Sequence, residues 1–117
     1  MFRNCKSLTE LDLSSFNTIK IDRMAAMFEG CESLKEINLS SFNTSNVVTL
    51  HDMFKNCKSL TSLNLSTFNT SKCEDFHGMF RNCQSLTSLE LTSFDFSSIK
   101  FNKGSGDIFD EGDACGV

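Results

Sequence analysis

The run Met53-Phe-Lys-Asn-Cys-Lys-Ser-Leu-Thr-Ser-Leu-Asn-Leu-Ser-Thr-Phe-Asn-Thr-Ser71 decides the fold, because its pattern recurs every 26 residues. Met-Phe pairs stand at Met1/Phe2, Met27/Phe28, Met53/Phe54 and Met79/Phe80. Cys5, Cys31, Cys57 and Cys83 follow, then Leu8, Leu34, Leu60 and Leu86. Leu11, Ile37, Leu63 and Leu89 lead to Leu13, Leu39, Leu65 and Leu91, and Phe16, Phe42, Phe68 and Phe94 close the blocks. No insertion or deletion disturbs the register. A unit this short cannot bury its apolar face alone, so neighbouring units must stack and share a core.

Within a unit, Leu8-x-x-Leu11-x-Leu13 ends in period-2 alternation. This predicts a strand with Leu11 and Leu13 inward and Glu10, Asp12 and Ser14 outward. A polar stretch such as Asn43-Thr-Ser-Asn46 comes next. Val47, Leu50, Met53, Phe54 and Cys57 then fall three or four apart, the spacing of an apolar helix stripe. Ser71-x-x-Glu74 has the form of a capping box at the start of such a helix. The column Asn4, Gly30, Asn56, Asn82 holds residues that tolerate the left-handed conformation ending many helices. The expected architecture is an α/β repeat, a leucine-rich-repeat solenoid. It has a parallel strand ladder on one side and short helices on the other. Its turns are 1–26, 27–52, 53–78 and 79–104, followed by an acidic, Gly-rich tail or cap over 105–117.

The formal net charge of −4 argues against a nucleic-acid partner, which needs a Lys/Arg excess on one face. No apolar run approaches the roughly 20 residues that cross a bilayer, and no basic start with an apolar run marks a signal peptide. No nucleophile–base pair, phosphate loop or carboxylate pair stands out from the repeat, so the chain reads as a non-enzyme without a cofactor.

Each conspicuous column has a plain reading beside a functional one. The columns Phe2/Phe28/Phe54/Phe80, Cys5/Cys31/Cys57/Cys83, Leu13/Leu39/Leu65/Leu91 and Phe16/Phe42/Phe68/Phe94 read as core. Stacked disulfides or a metal ladder are the alternative for the cysteines, but no Cys-x-x-Cys spacing supports a metal site. Cys73 replaces an aliphatic residue (Ile21, Val47), and Cys115 is the candidate reactive thiol. His51 and His77 stand one period apart near Asp52 and Asp75, a conceivable weak metal site set against an exposed, chemically free position. Asn17, Asn43, Asn69 and Asp95 read as a turn device. Asn38, Asn43, Asn64 and Asn69 also sit in Asn-x-Ser/Thr triplets, glycan acceptors in a eukaryotic secretory pathway. Asp107, Asp110, Glu111 and Asp113 lack EF-hand spacing, while Ile108 and Phe109 are candidate docking residues of the tail. The outward strand residues Glu10, Asp12, Glu36, Asn38, Asn64 and Glu90 are the candidate binding face, set against a merely solvated sheet.

The quoted run resembles the repeat of BspA-type bacterial surface leucine-rich-repeat proteins over about residues 1–100, since Met-Phe, Cys, Ser-Leu-Thr, Leu-x-Leu-Ser and Phe-Asn-Thr recur in order. The resemblance implies a leucine-rich-repeat solenoid and a cell-surface or secreted adhesion role, and it supplies no catalytic residue. The pattern fades after Phe94, where Asp95-Phe96 replaces Asn-Thr. The expected function is a binding or adhesion module for a protein or glycan, a fragment of a longer surface protein. The alternative is a structural spacer or an intracellular assembly subunit that uses the ends of the stack. For that reading, Met1 and Phe2 open on core-type residues without a cap, which invites an end-to-end contact.

Overall fold

Each Leu-x-Leu stretch forms one three-residue strand: β1 (Glu10–Asp12), β2 (Glu36–Asn38), β3 (Ser62–Asn64) and β4 (Ser88–Glu90). The computed structural model describes residues 2–98 and 108. Pairing is parallel and in step with the repeat, with Leu11 opposite Ile37 and Leu63 opposite Leu89. Outer residues of each strand are exposed, while the central Leu or Ile is half-buried or buried.

The expected fold class is corrected in two respects. First, no helix occurs among the described residues. The apolar stripe is instead a series of tight turns. Met27, Glu29 and Cys31 N–H donate back three residues to Met24, Ala26 and Phe28 O. The alternate amides leave the repeat altogether: Met24, Ala26, Phe28 and Gly30 donate to Thr49, His51, Met53 and Lys55 O at 2.8–3.1 Å. Leu50, Asp52, Phe54 and Asn56 do the same to Asp75, His77, Met79 and Arg81 O. A helix would keep all these bonds local. It is barred here by two left-handed columns: Asn4, Gly30, Asn56 and Asn82 (φ 58 to 78°), and Ala26, Asp52 and Gly78 (φ 57 to 64°). Positive φ at the third residue of Met24–Met27 and of Phe28–Cys31 is the geometry of type II turns. At Gly30 and Gly78 an added Cβ would also run into the side-chain oxygen of Asn4 or Asp52. The proposed capping box fails for the same reason. Ser71 N–H and Oγ bond to Asn69 Oδ1, and Glu74 N–H donates to Val48 O in the preceding repeat.

Second, the strands make two two-stranded sheets, β1-β2 and β3-β4, rather than one ladder. At the first and third junctions, Leu13 N–H donates to Asn38 O (3.3 Å) and Leu65 N–H to Glu90 O (3.1 Å). Lys35 N–H donates to Thr9 O (2.7 Å) and Thr87 N–H to Thr61 O (3.0 Å). The Ser41 and Ser93 hydroxyls donate to Leu13 and Leu65 O (2.8 and 3.1 Å). At the middle junction the equivalent groups, Leu39 N–H, Thr61 N–H and the Thr67 hydroxyl, make no such bonds. The turn-side bonds meanwhile continue across it.

The core lies between the two sides. Phe2, Phe28, Phe54 and Phe80 stack at 5.6, 5.5 and 5.9 Å between ring centroids, with planes within 14°. Phe42, Phe68 and Phe94 stack at 6.5 and 6.3 Å. Phe28, Phe54, Phe80, Cys31, Cys57, Cys83, Leu13, Leu39 and Leu65 are buried, while Phe2, Cys5, Leu91 and Phe94 are partly buried against the cluster. Phe16 departs from its column at 38% exposed. It belongs to the first repeat and has a ring neighbour, Phe2, on one side only. Ile108 is half-buried, and its carbonyl accepts from Phe80 N–H (3.0 Å), the place Met79 O takes for Phe54.

Candidate functional site

The outward rows of the strands meet in a shallow groove of about 500 Å³. Glu10, Asp12, Glu36, Asn38, Ser62 and Asn64 line it, together with Leu11 and Ile37, whose side chains pack against the core. The strand period sets this arrangement: residues two apart face the same way, and equivalent residues of neighbouring repeats stand side by side in register. Among the described residues neither Glu10 nor Glu36 pairs with a cation. An ion pair of Arg3 with Glu29 (3.0 Å) lies elsewhere.

The second row is less free than the sequence suggested. Asp12, Asn38 and Asn64 Oδ1 accept from Ser14, Ser40 and Ser66 N–H at 2.9–3.0 Å, and Glu90 Oε1 accepts from Thr92 N–H (3.1 Å). These bonds close a local turn at the end of each strand. The Ser14 amide and hydroxyl also hold the Asp12 carboxyl below its ordinary value. What remains available is the carboxamide N–H of Asn38 and Asn64, together with Glu10 and Glu36. Glu90, on β4, is not on the groove lining.

A second cavity of about 210 Å³ lies at the unpaired junction of β2 and β3, lined among others by Asn38, Leu39, Asn64, Ser66 and Thr67. Sequence reading missed it. A faint signal exists: Ser15, Ser41 and Ser93 share a column in which the third repeat carries Thr67. Sequence reading also missed the buried Thr column. Thr18, Thr44 and Thr70 are at most 2% exposed. Each hydroxyl donates to the carbonyl of Asn43, Asn69 or Asp95 (2.9–3.0 Å) and accepts that residue's N–H (2.7–2.8 Å). The recurring Phe-Asn-Thr was its trace.

The cysteines among the described residues are free thiols, and Cys31, Cys57 and Cys83 donate to Phe2, Phe28 and Phe54 O of the preceding repeat at 3.0–3.2 Å. Burial pushes the Cys57 thiol up to about 12 and Cys73 to about 11, and raises Cys31 as well. A thiol held neutral is a poor nucleophile and metal ligand. His51 N–H donates to Thr49 Oγ1 and His77 N–H to Asp75 Oδ1, while His51 Nδ1 is buried without a partner. Among the described residues no group of three or more His, Cys, Asp or Glu is placed to hold a metal ion, and no helix is long and apolar enough to cross a membrane. Asn17, Asn43, Asn69 and Asp95 Oδ1 accept from the amide two residues on. Asn38, Asn43, Asn64 and Asn69 are exposed. Cys115, Phe109 and the acidic residues 107, 110, 111 and 113 lie outside the described residues.

The family model described as "Mycoplasma protein of unknown function, DUF285" matches residues 1–111, and the chain belongs to that family. No curated protein and no solved structure matches it.

Proposed function

Taking that family membership as the premise, we propose that the protein is a non-enzymatic binding module that meets a protein or glycan partner through its strand face. The observation that supports this most directly is the groove over β1, β2 and β3. Among the described residues, carboxylates without a paired cation stand there beside carboxamide donors. β1 and β2 are held in register by their parallel pairing, and the turn-side bonds fix the far side of each repeat. A rigid polar surface loses little entropy on binding, but it lacks the Trp, Tyr and Arg that concentrate interface energy, so contact is weak at each repeat. The likeness of residues 1–100 to BspA-type surface proteins supports a role at the cell surface or outside the cell. Arrays of immobilised glycans and extracellular proteins test the reading, with the double variant Glu10→Gln/Glu36→Gln as control. Binding by the native chain that falls at least several-fold in the variant supports it. Binding indifferent to both substitutions removes the strand face from consideration.

A second reading is a structural spacer that meets its partners through exposed apolar side chains such as Phe16 and Ile19, each 38% exposed. Light scattering across a concentration series tests it. A monomer at every concentration counts against it.

A further inference from the structure

We propose that the opening between β2 and β3 is a binding site for a single neutral, polyhydroxylated ring, a hexose unit. The proposal deepens the strand-face reading and rests on it.

The middle junction keeps its turn-side contacts and adds a Ser59 hydroxyl bond to Glu32 O (2.7 Å), but it lacks the strand ladder of its neighbours. Its turn-side and Thr-side bonds are all made: Leu50, Asp52, Phe54 and Asn56 N–H reach the next repeat, and Thr44 Oγ1 bonds Asn69. Its strand-side bonds are all absent. Leu39 N–H and the carbonyls of Asn64 and Lys35 lack the cross-repeat partners that their equivalents have at the other two junctions, and Leu39 O accepts from Phe42 N–H (3.0 Å) but not from a hydroxyl of the next repeat. The cavity of about 210 Å³ stands at this place. A strand edge with unused donors and acceptors is a template for a ligand that supplies both.

The chemistry of the lining selects the ligand. No charged side chain lines this cavity, which disfavours an ionic ligand. An inserted peptide strand does not fit, because it needs about 9.5 Å between its neighbours, twice the ordinary strand spacing. Cα atoms of β2 and β3 still approach within 8 Å. Hydroxyl groups donate and accept at once, so a sugar ring can face the Leu39 amide, the Leu39 carbonyl, the Asn64 carboxamide and the Ser66 and Thr67 hydroxyls together. With no aromatic ring for stacking, affinity falls in the millimolar range, about −4 kcal/mol.

Thr67 holds the junction open. Ser41 and Ser93 close theirs by donating to Leu13 and Leu65 O, whereas the Thr67 hydroxyl makes no bond to Leu39 O. A β-branched residue has fewer χ1 choices, and its methyl group takes up room that serine leaves free.

Amide NMR of the full chain, titrated with methyl α-glucoside, methyl α-mannoside and methyl β-galactoside, tests this, with the trisaccharide of any sugar that binds as a further arm. Saturable shifts at Leu39, Asn64 and Thr67 with at least one hexoside are expected, absent at Leu13. Thr67→Ser should weaken the response at least tenfold and slow hydrogen exchange of the Leu39 amide toward the rate of Leu13. Thr67→Val should weaken the response without that slowing. Tighter binding of the trisaccharide identifies a glycan chain as the source, and equal binding identifies a free sugar. No saturable shift with any hexoside overturns the proposal, as does a Leu39 amide already as protected as Leu13 in the native chain. If the hexosides fail while the strand face still binds a partner sensitive to Glu10→Gln/Glu36→Gln, the hexose site falls and the binding module stands.

Discussion

The two sides of the molecule solve the same stacking problem differently. On the turn side four amide bonds cross each of two junctions, from Met24, Ala26, Phe28 and Gly30 and from Leu50, Asp52, Phe54 and Asn56, and the row of Phe2, Phe28, Phe54 and Phe80 N–H runs on to Ile108 O. On the strand side three residues pair at the first and last junctions and none at the middle one. The turns carry the left-handed residues, the stacked Phe column and the buried thiols; the strands carry the exposed polar rows and the cavities. Continuity of the core therefore depends on the turns, and this leaves the strands room to open where a partner can reach them.

The largest effect should come from breaking the turn side. Phe54→Ala removes a fully buried ring stacked on both faces and should cost about 3–5 kcal/mol, read from denaturant unfolding. Ile37→Val at a half-buried strand position should cost well under half of that; equal losses would erase the contrast. Alkali should act next. The raised thiols of Cys31, Cys57 and Cys73 contribute stability that is full below about pH 9 and is lost as pH climbs toward 11–12. Each contributes a slope of up to about 1.4 kcal/mol per pH unit. A melting temperature flat to pH 11, or a slope unchanged in Cys57→Ala, would contradict that.

A smaller change probes the wall joining the two sides. Thr44→Val leaves the part-buried carbonyl and amide of Asn69 without the hydroxyl that serves both, at a cost of about 1–3 kcal/mol. Thr67→Val, whose hydroxyl makes no bond, should change stability by less than about 0.5 kcal/mol. The smallest effect runs the other way. Ala26 sits at φ 59°, so Ala26→Gly should stabilise by up to about 1 kcal/mol, measured by the shift in unfolding midpoint. Destabilisation would mean that the turn series is not as described.

These contrasts follow how legible each part was. The columns could be read because a fixed period aligns residues whatever their local conformation, and Leu11, Leu13 and their equivalents alternate unambiguously. The helix was misread because Val47, Leu50, Met53, Phe54 and Cys57 point inward from successive turns at the same spacing as from a helix. Asn4, Gly30, Asn56 and Asn82 did signal left-handed backbone, but Ala26 and Asp52 carry no such signal, and two left-handed positions four residues apart are what exclude the helix. On the strand face, the polar rows were visible. That Asp12, Asn38 and Asn64 spend an oxygen on the next turn was not, since Asx turns and free carboxamides share one sequence. At the opening between β2 and β3 the only sequence trace is Thr67 in a column of serines, too slight for any pattern to register.

The Met-Phe pairs that make the repeat conspicuous have an electrical consequence. The peptide unit joining Met27 to Phe28 accepts from Phe2 N–H and donates to Met53 O, and the units at Met53–Phe54 and Met79–Phe80 continue the line. Peptide dipoles thus add head to tail along the stack, as they do along a helix. Here, however, the amide hydrogens point toward the C-terminal repeat. The turn side is therefore polarised with its positive end at the last repeat and its negative end at the first, the reverse of a helix. Two such stacks meeting end to end attract in series and repel when like ends face.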